Sequence, residues 1–270
     1  MPRRRRRLLL VGGAGRMGRL LGRFLARRGY EVLSVDPAGV PRGFRRGALS
    51  DARDADVVLV AASLSSAAAA LAAVLAERPR GLVLDVASVK APIVPLLKRA
   101  VAEGIRAASV HPMFGPSVRS FRGRDLIVCD AGNAAAAREA RRLFAGAGLA
   151  IRTMPLEAHD PWVAATLGLA HVVALASAST LSAFGVDAGD VAGRASTSFR
   201  HLVSLISPIL GQPPDLTHAI QAKNPHAAPV LARLAREAEA WRRAAAEPTG
   251  KAFARKVAAA RAALPPRPRR

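Results

Sequence analysis

Apolar runs at residues 8–11, 31–35, 57–61, 82–85, 107–110 and 126–129 are short, and several are unbroken. That pattern predicts strands buried on both faces, the mark of a parallel sheet. The intervening residues 17–28, 66–77, 92–103 and 134–147 are long enough for crossover helices, with Ser65 and Asn133 placed as N-caps. Strand and helix in alternation predict an α/β fold with a doubly wound, Rossmann-type sheet. Beyond about Met154 the strand signals stop. Residues 159–263 group into helical segments separated by Gly185, Pro208, residues 211–214, Pro225 and Pro248, with apolar stripes such as Leu231, Leu234 and Ala238. An all-helical second domain is expected over residues 156–264, after a sheet domain over 1–155. Residues 265–270 are proline and arginine only, a basic tail without a packing surface.

Two stretches imitate membrane signals. Residues 3–7 are all arginine, but the apolar run behind them ends at Gly12, too short for the ~7–15 residues of an export signal. Residues 164–186 carry no formal charge and are long enough to cross a bilayer, yet they are rich in alanine and serine and contain His171. Such small residues suit a helix packed closely inside a helical domain. Cys129 is the single cysteine, so no intrachain disulfide framework or multi-cysteine zinc site is available. A cytoplasmic protein without membrane attachment is expected. With 41 basic against 19 acidic residues the formal charge is +22, which favours anionic partners without choosing among them.

Residues 11–18 read V-G-G-A-G-R-M-G, and Gly13, Gly15 and Gly18 fit the spacing G-x-G-x-x-G. The pattern follows the first predicted strand, opens the first predicted helix, and precedes a second strand that ends at Asp36. In that context it predicts a dinucleotide cradle: a tight turn at Gly13, room for the pyrophosphate at Gly15 beside Arg16 and Met17, and close helix packing at Gly18. Asp36 is suited to the ribose hydroxyls of NAD and repels the extra phosphate of NADP. Arg42, Arg45 and Arg46 follow closely and keep NADP as the second choice.

Further chemistry stands at or near the ends of predicted strands, where ligands bind in this architecture. Ser63 follows the 57–61 run, D-V-A-S-V-K spans residues 85–90, and H-P-M-F-G-P spans 111–116. With the glycine turn before them, and His159-Asp160 and His171 after, this order resembles the prephenate dehydrogenase family, most closely the branch that enteric bacteria fuse to a chorismate mutase. The likeness runs from about Leu8 to Arg200. It implies that His111 hydrogen-bonds the substrate's ring hydroxyl and takes its proton, and that Ser88 contacts the same hydroxyl. It also implies that His171 lines the site and Arg200 grips a carboxylate. Ala158 and Leu167 depart from the family pattern, where an acidic and a polar residue are common.

The chemistry of prephenate agrees with those roles. Removing hydride from the hydroxyl-bearing carbon lets the ring lose carbon dioxide and aromatise to 4-hydroxyphenylpyruvate, a step toward tyrosine. The protein must supply a base near neutrality, which imidazole provides, and cations for the carboxylates. Surrounding arginines are expected to keep His111 neutral. Arg119, Arg122, Arg124 or a partner subunit are candidates for the second carboxylate.

The plainer readings are that His111 caps a loop, Ser88 caps the helix after Lys90, and His171 fills a core stripe with Leu167 and Leu175. Arg200 is then a surface cation, His159-Asp160 simply starts a helix, and Lys90, which could also reach toward the site, is a solvated lysine in the first turn of a helix. The resemblance implies a homodimer through the helical domain; no fused mutase is expected before Arg3 and no added regulatory domain after Leu264. Rival functions are arogenate oxidation, a β-hydroxyacid or imine-reducing dehydrogenase, and a non-catalytic nucleotide- or nucleic-acid-binding protein. Low aromatic content, 4%, argues against nucleic acid.

Overall fold

The computed structural model describes residues 5–186 and 195–264; the basic tail lies outside the described residues. Eight strands form one sheet: β1 (Arg6–Val11), β2 (Tyr30–Val35), β3 (Arg45–Arg46), β4 (Val57–Val60), β5 (Leu82–Asp85), β6 (Ala107–Pro112), β7 (Asp125–Asp130) and β8 (Ala150–Pro155). Their order is β3-β2-β1-β4-β5-β6-β7-β8. All neighbours run parallel except β6 and β7. The exception has a simple cause. No helix separates Pro112 from Asp125, and a parallel return needs a crossover of a dozen residues or more, usually helical.

Helices α1 (Arg16–Arg27), α2 (Ala67–Ala76), α3 (Val94–Ala102) and α4 (Ala134–Phe144) cover the two faces. Strand alternation divides the core accordingly. Leu8, Leu10, Leu59 and Leu84 pack with Leu21 and Phe24 of α1 and Ala140 and Phe144 of α4. Leu9, Val11, Val58 and Val83 pack with Leu71 and Val74 of α2 and Leu97 and Ala100 of α3. Sequence patterning missed β3 and β8. β8 is an edge strand with only Ile151 and Met154 half-buried, so its apolar signal is faint.

Two cap assignments need correction. Asn133 does cap α4, its side chain accepting from the Ala136 N–H at 3.0 Å. Ser65 does not cap α2; the cap position is Ser66, and the hydroxyls of Ser63, Ser65 and Ser66 bond among themselves instead. Nor does Ser88 cap the next helix, because α3 starts only at Val94, after a turn over residues 91–93.

After Pro155 every described element is helical. α5 (Leu156–Val163), a π-helical turn (Ala164–Gly168) and α6 (Leu169–Ala183) make one continuous 28-residue helix. α7 (Thr197–Leu210), α8 (Pro214–Ala222), α9 (Ala227–Ala246) and α10 (Lys251–Ala263) follow. Pro208, expected to separate segments, lies inside α7. Leu231 and Leu234 of the α9 stripe are half-buried while Ala238 is exposed. The long helix is apolar enough to cross a membrane, with mean hydropathy 1.6, but only 28% of its most apolar window is buried within this chain. Its α5 end packs against β7 and β8, its π-helical turn against α8 and α9, and α6 against α7 and α9.

Candidate active site

The carboxyl ends of β1, β4, β5 and β6 stand side by side, since Val11 pairs with Val60, Val60 with Asp85, and Asp85 with Ser109. Between β1 and β4 the chain order reverses, which opens a crevice at that edge. The glycine turn occupies it. Gly12 rather than Gly13 makes the left-handed turn, at φ +85°, and a Cβ there would lie 2.6 Å from the Ala61 carbonyl. Gly13 is instead needed for contact with the Ser34 side chain, and Gly18 for contact with the Gly12 carbonyl, which brings α1 against β1.

The cradle suits a pyrophosphate. The N-cap of α1 is Gly15, with no side-chain cap and no acidic residue in the first turn, so the first N–H groups remain open to an anion. Arg16 adds an exposed cation there, and Met17 packs half-buried beneath. Asp36 holds the turn from the next strand, its Oδ2 accepting from the Ala14 N–H at 2.9 Å and its Oδ1 from the Ala38 N–H at 2.8 Å. Exposed Ser63 follows β4 beside the turn.

Three strands away, β6 delivers His111 to the same edge, 3% exposed. Its Nδ1 lies 2.9 Å from Nε2 of His159, and Nδ1 of His159 lies 2.7 Å from Oδ1 of Asp160. Asp160 also accepts the backbone N–H of Lys90, at 2.8 and 3.0 Å to its two oxygens, and that of Ala91 at 2.6 Å. Asn224 of the α8–α9 connection donates to the Asp160 carbonyl at 2.9 Å. His159-Asp160 therefore does more than start a helix: it joins the helical half to the sheet at the strand ends. The sequence carried the adjacent pair, but nothing in it indicated that α5 would fold back onto the loop after β5.

Of the two readings of Lys90, the structure favours reach toward the site. Far from solvated, it is wholly buried, with Nζ donating to Asp85 Oδ1 at 3.1 Å and to the Val110 carbonyl at 2.9 Å. One residue thus braces His111 from two directions, by its ammonium on the preceding carbonyl and by its N–H on Asp160.

Burial lowers the His111 imidazole well below its ordinary value, and the charge of Lys90 and then His159 push the same way. The neutral form expected from the sequence is therefore favoured by desolvation and a lysine rather than by arginines. His159 is lowered as well, chiefly by burial, against the raising hydrogen bond to Asp160. Burial works to raise the Asp160 carboxyl, but hydrogen bonds from His159, Lys90 and Ala91 hold it below the usual range. Cys129, behind the site, is no nucleophile: burial pushes its thiol up to about 12.

The remaining predicted residues are less gathered. Ser88 is half-buried in the loop two residues before Lys90. His171 lies on α6, over three helical turns beyond His159, 3% exposed and with no partner for Nδ1 among the described residues. Burial lowers its imidazole too. Arg200 is exposed near the start of α7, and its guanidinium donates to the Ala195 carbonyl at 3.2 and 3.3 Å. Among the described residues neither His171 nor Arg200 hydrogen-bonds to the histidine pair.

Comparison with known proteins gives this geometry a family. Residues 39–152 match the model for the prephenate dehydrogenase nucleotide-binding domain, and residues 155–258 match that for the prephenate dehydrogenase dimerization domain. The chain is 32% identical over 236 residues to the 4-amino-4-deoxyprephenate dehydrogenase of Streptomyces pristinaespiralis, covering 82% of this chain and 78% of that protein. It is 25% identical over 211 residues to the T-protein of Enterobacter agglomerans, covering 78% of this chain and 55% of that protein, so it spans just over half of the latter's length.

A crystal structure of prephenate dehydrogenase from A. aeolicus, in complex with hydroxyphenyl propionate and NAD+, shares the fold at TM-score 0.73 and 17% identity. That match covers 98% of this chain and 100% of the other. Two consecutive domain matches and a relative at 32% identity make this chain a member of the prephenate dehydrogenase family, a group of oxidoreductases with a nucleotide-binding domain.

Proposed function

We propose that this protein oxidises and decarboxylates prephenate to 4-hydroxyphenylpyruvate, with NAD as hydride acceptor and His111 as general base. The observation that carries the reading is the position of His111: an imidazole at the carboxyl end of β6, on the same sheet edge as the glycine turn, whose burial favours the neutral form. Residues 1–155 form the cofactor half and residues 156–264 the substrate and dimer half.

Gly15, beside Arg16 and Met17, would give the pyrophosphate room, Gly13 and Gly18 would keep the cradle tight against Ser34 and the Gly12 carbonyl, Asp36 would take the ribose hydroxyls, and Ser63 lies along the same path. NAD, when bound, supplies a nicotinamide that accepts hydride from the ring carbon. His111 receives the ring-hydroxyl proton: the O–H bond breaks, a new N–H bond forms on Nε2, and the oxygen electron pair becomes the carbonyl. Carbon dioxide then leaves, the broken C–C pair aromatises the ring and passes to the carbonyl oxygen, and that phenolate takes the proton back from His111 Nε2. Ser88 orients the hydroxyl, Arg200 binds a carboxylate, and His171 lines the wall. The cations near the site hold the anionic substrate, and burial of His111 keeps bulk water off the reacting oxygen.

The uncovered apolar face of the long helix is the seam of a homodimer, as the family's dimerization domain suggests. Small residues there favour another helix over lipid. A cytoplasmic setting follows from the same reading.

A second substrate is supported by a specific observation, the 32% identity to a 4-amino-4-deoxyprephenate dehydrogenase. A bare imidazole nitrogen accepts a proton from a ring amine as well as from a ring hydroxyl. Steady-state assays with prephenate, arogenate and 4-amino-4-deoxyprephenate, each with NAD and NADP, test the assignment. His111→Asn is expected to lower kcat on the preferred substrate by about 10²–10⁴. A loss under ~10-fold with binding unchanged removes His111 as the base. Arg200→Ala should raise KM more than it lowers kcat; an unchanged KM retires that role.

A further inference from the structure

We infer that Asp160, acting through His159, fixes the tautomer of His111 so that its Nε2 is a bare lone pair and its Nδ1 carries the proton. Asp160 is thus a positioning residue. The inference rests on His111 being the base of the proposed reaction, and it says why the imidazole is born in the right form.

The sense of the chain is set at its acidic end. Asp160 accepts three backbone contacts from Lys90 and Ala91 in addition to the His159 ring. A carboxylate so surrounded by N–H donors stays ionised and has only acceptors to offer. Nδ1 of His159, 2.7 Å away, must then carry a hydrogen. A neutral imidazole carries one hydrogen, so Nε2 of His159 is an acceptor. Nδ1 of His111, 2.9 Å from it, must in turn be the donor. That leaves Nε2 of His111 without a hydrogen. Both rings are at least 97% buried, so water cannot readily supply an alternative partner that would reverse the order.

The same chain receives the proton. Once Nε2 of His111 is protonated, the Nδ1 hydrogen can pass to Nε2 of His159. The positive charge then sits on the ring bonded to Asp160, and each ring regains or keeps its hydrogen bonds. Lys90 is the cation that opposes this charge, and Asp85, at 3.1 Å from the Lys90 ammonium, offsets it.

Asp160→Asn tests the idea with little change of shape. The amide oxygen can keep the backbone N–H groups of Lys90 and Ala91, while the amide nitrogen donates to His159 Nδ1. Each hydrogen bond in the chain is then reversed, and Nε2 of His111 is capped by a hydrogen. Reversal of a tautomer by this substitution costs about 10⁴ in kcat in a comparable His–Asp pair, so a loss of about 10²–10⁴ is expected here, with KM and NAD affinity unchanged.

Long-range ¹H–¹⁵N NMR of the imidazole nitrogens in the substrate-free protein reads the tautomer directly. The wild-type chain should show His111 protonated at Nδ1 and bare at Nε2, and Asp160→Asn should show the reverse. A wild-type His111 protonated at Nε2 overturns the inference, and so does an Asp160→Asn variant that keeps both tautomer and rate. If that variant does not fold, the wild-type spectrum decides alone. The expected tautomer in a chain that turns over none of the three substrates would sink the proposed function and leave this inference standing. The opposite tautomer in an active enzyme would do the reverse.

Discussion

The sheet half and the helical half bury their apolar residues in different ways. In the first, Leu8, Leu9, Leu10, Leu59, Leu82 and Leu84 are all fully inside, because parallel strands with helices on both faces leave no apolar face uncovered. In the second, a buried cluster holds only Ala174, Ile206 and Ile209, α10 has no buried residue, and Phe184 is 81% exposed. One half is a finished core, while the other presents the kind of surface that a second copy of the chain would cover. The histidine chain lies at the join, with His111 from the finished half and His159 and Asp160 from the other. The geometry of this candidate site therefore depends on how the helical half docks onto the sheet half.

The contrast can be broken most forcefully at Lys90. Lys90→Met leaves Asp85 buried without its cation and should cost about 3–5 kcal/mol in denaturant unfolding. Adding Asp85→Leu should recover much of it; no recovery would mean the lysine matters for packing rather than for charge. Next, Leu84→Ala should cost about 2–5 kcal/mol, whereas Leu210→Ala, on the exposed side of α7, should stay within about 0.5 kcal/mol in the monomer. Equal losses would show that the halves are not so different.

Phe184→Ser should weaken self-association about tenfold or more by sedimentation, a loss above 1 kcal/mol, with sheet unfolding unchanged. The smallest effect is on pH. His111, His159 and His171 all have their imidazoles lowered in the folded state, mainly by burial. The unfolded chain therefore binds more protons below about pH 6.5. Stability that is complete above that value should be lost as pH falls toward the folded values. Melting scans from pH 7.5 downward check this, and a Tm that rises on acidification would refute it.

Much of the sheet half was legible before any coordinates. Its strands are unbroken apolar runs, and the glycine spacing is local, so neighbours in sequence are neighbours in space. The turn itself was misassigned by one residue, to Gly13 instead of Gly12, because the close approach that forces the turn comes from Ala61, 49 residues on. β8 escaped notice because an edge strand need not be apolar. In the site, the motif marked His111 as the candidate base, but Lys90 was weighed mainly as solvated, with reach toward the site as the alternative, and His159-Asp160 as a helix start. Each of those errors concerns a partner distant in sequence: Lys90 meets Asp160 across 70 residues and His111 meets His159 across 48.

The sequence alone determined the alternating α/β half, the helical half, the glycine cradle with Asp36 and the candidate base, since period, turn chemistry and local motifs are properties of adjacent residues. Only the tertiary structure decided that Lys90 is buried, that His159 and Asp160 close onto His111, and that the long apolar helix stays largely uncovered within one chain. Burial and hydrogen-bond direction depend on what folding brings from elsewhere, and no local pattern of side chains contains that information.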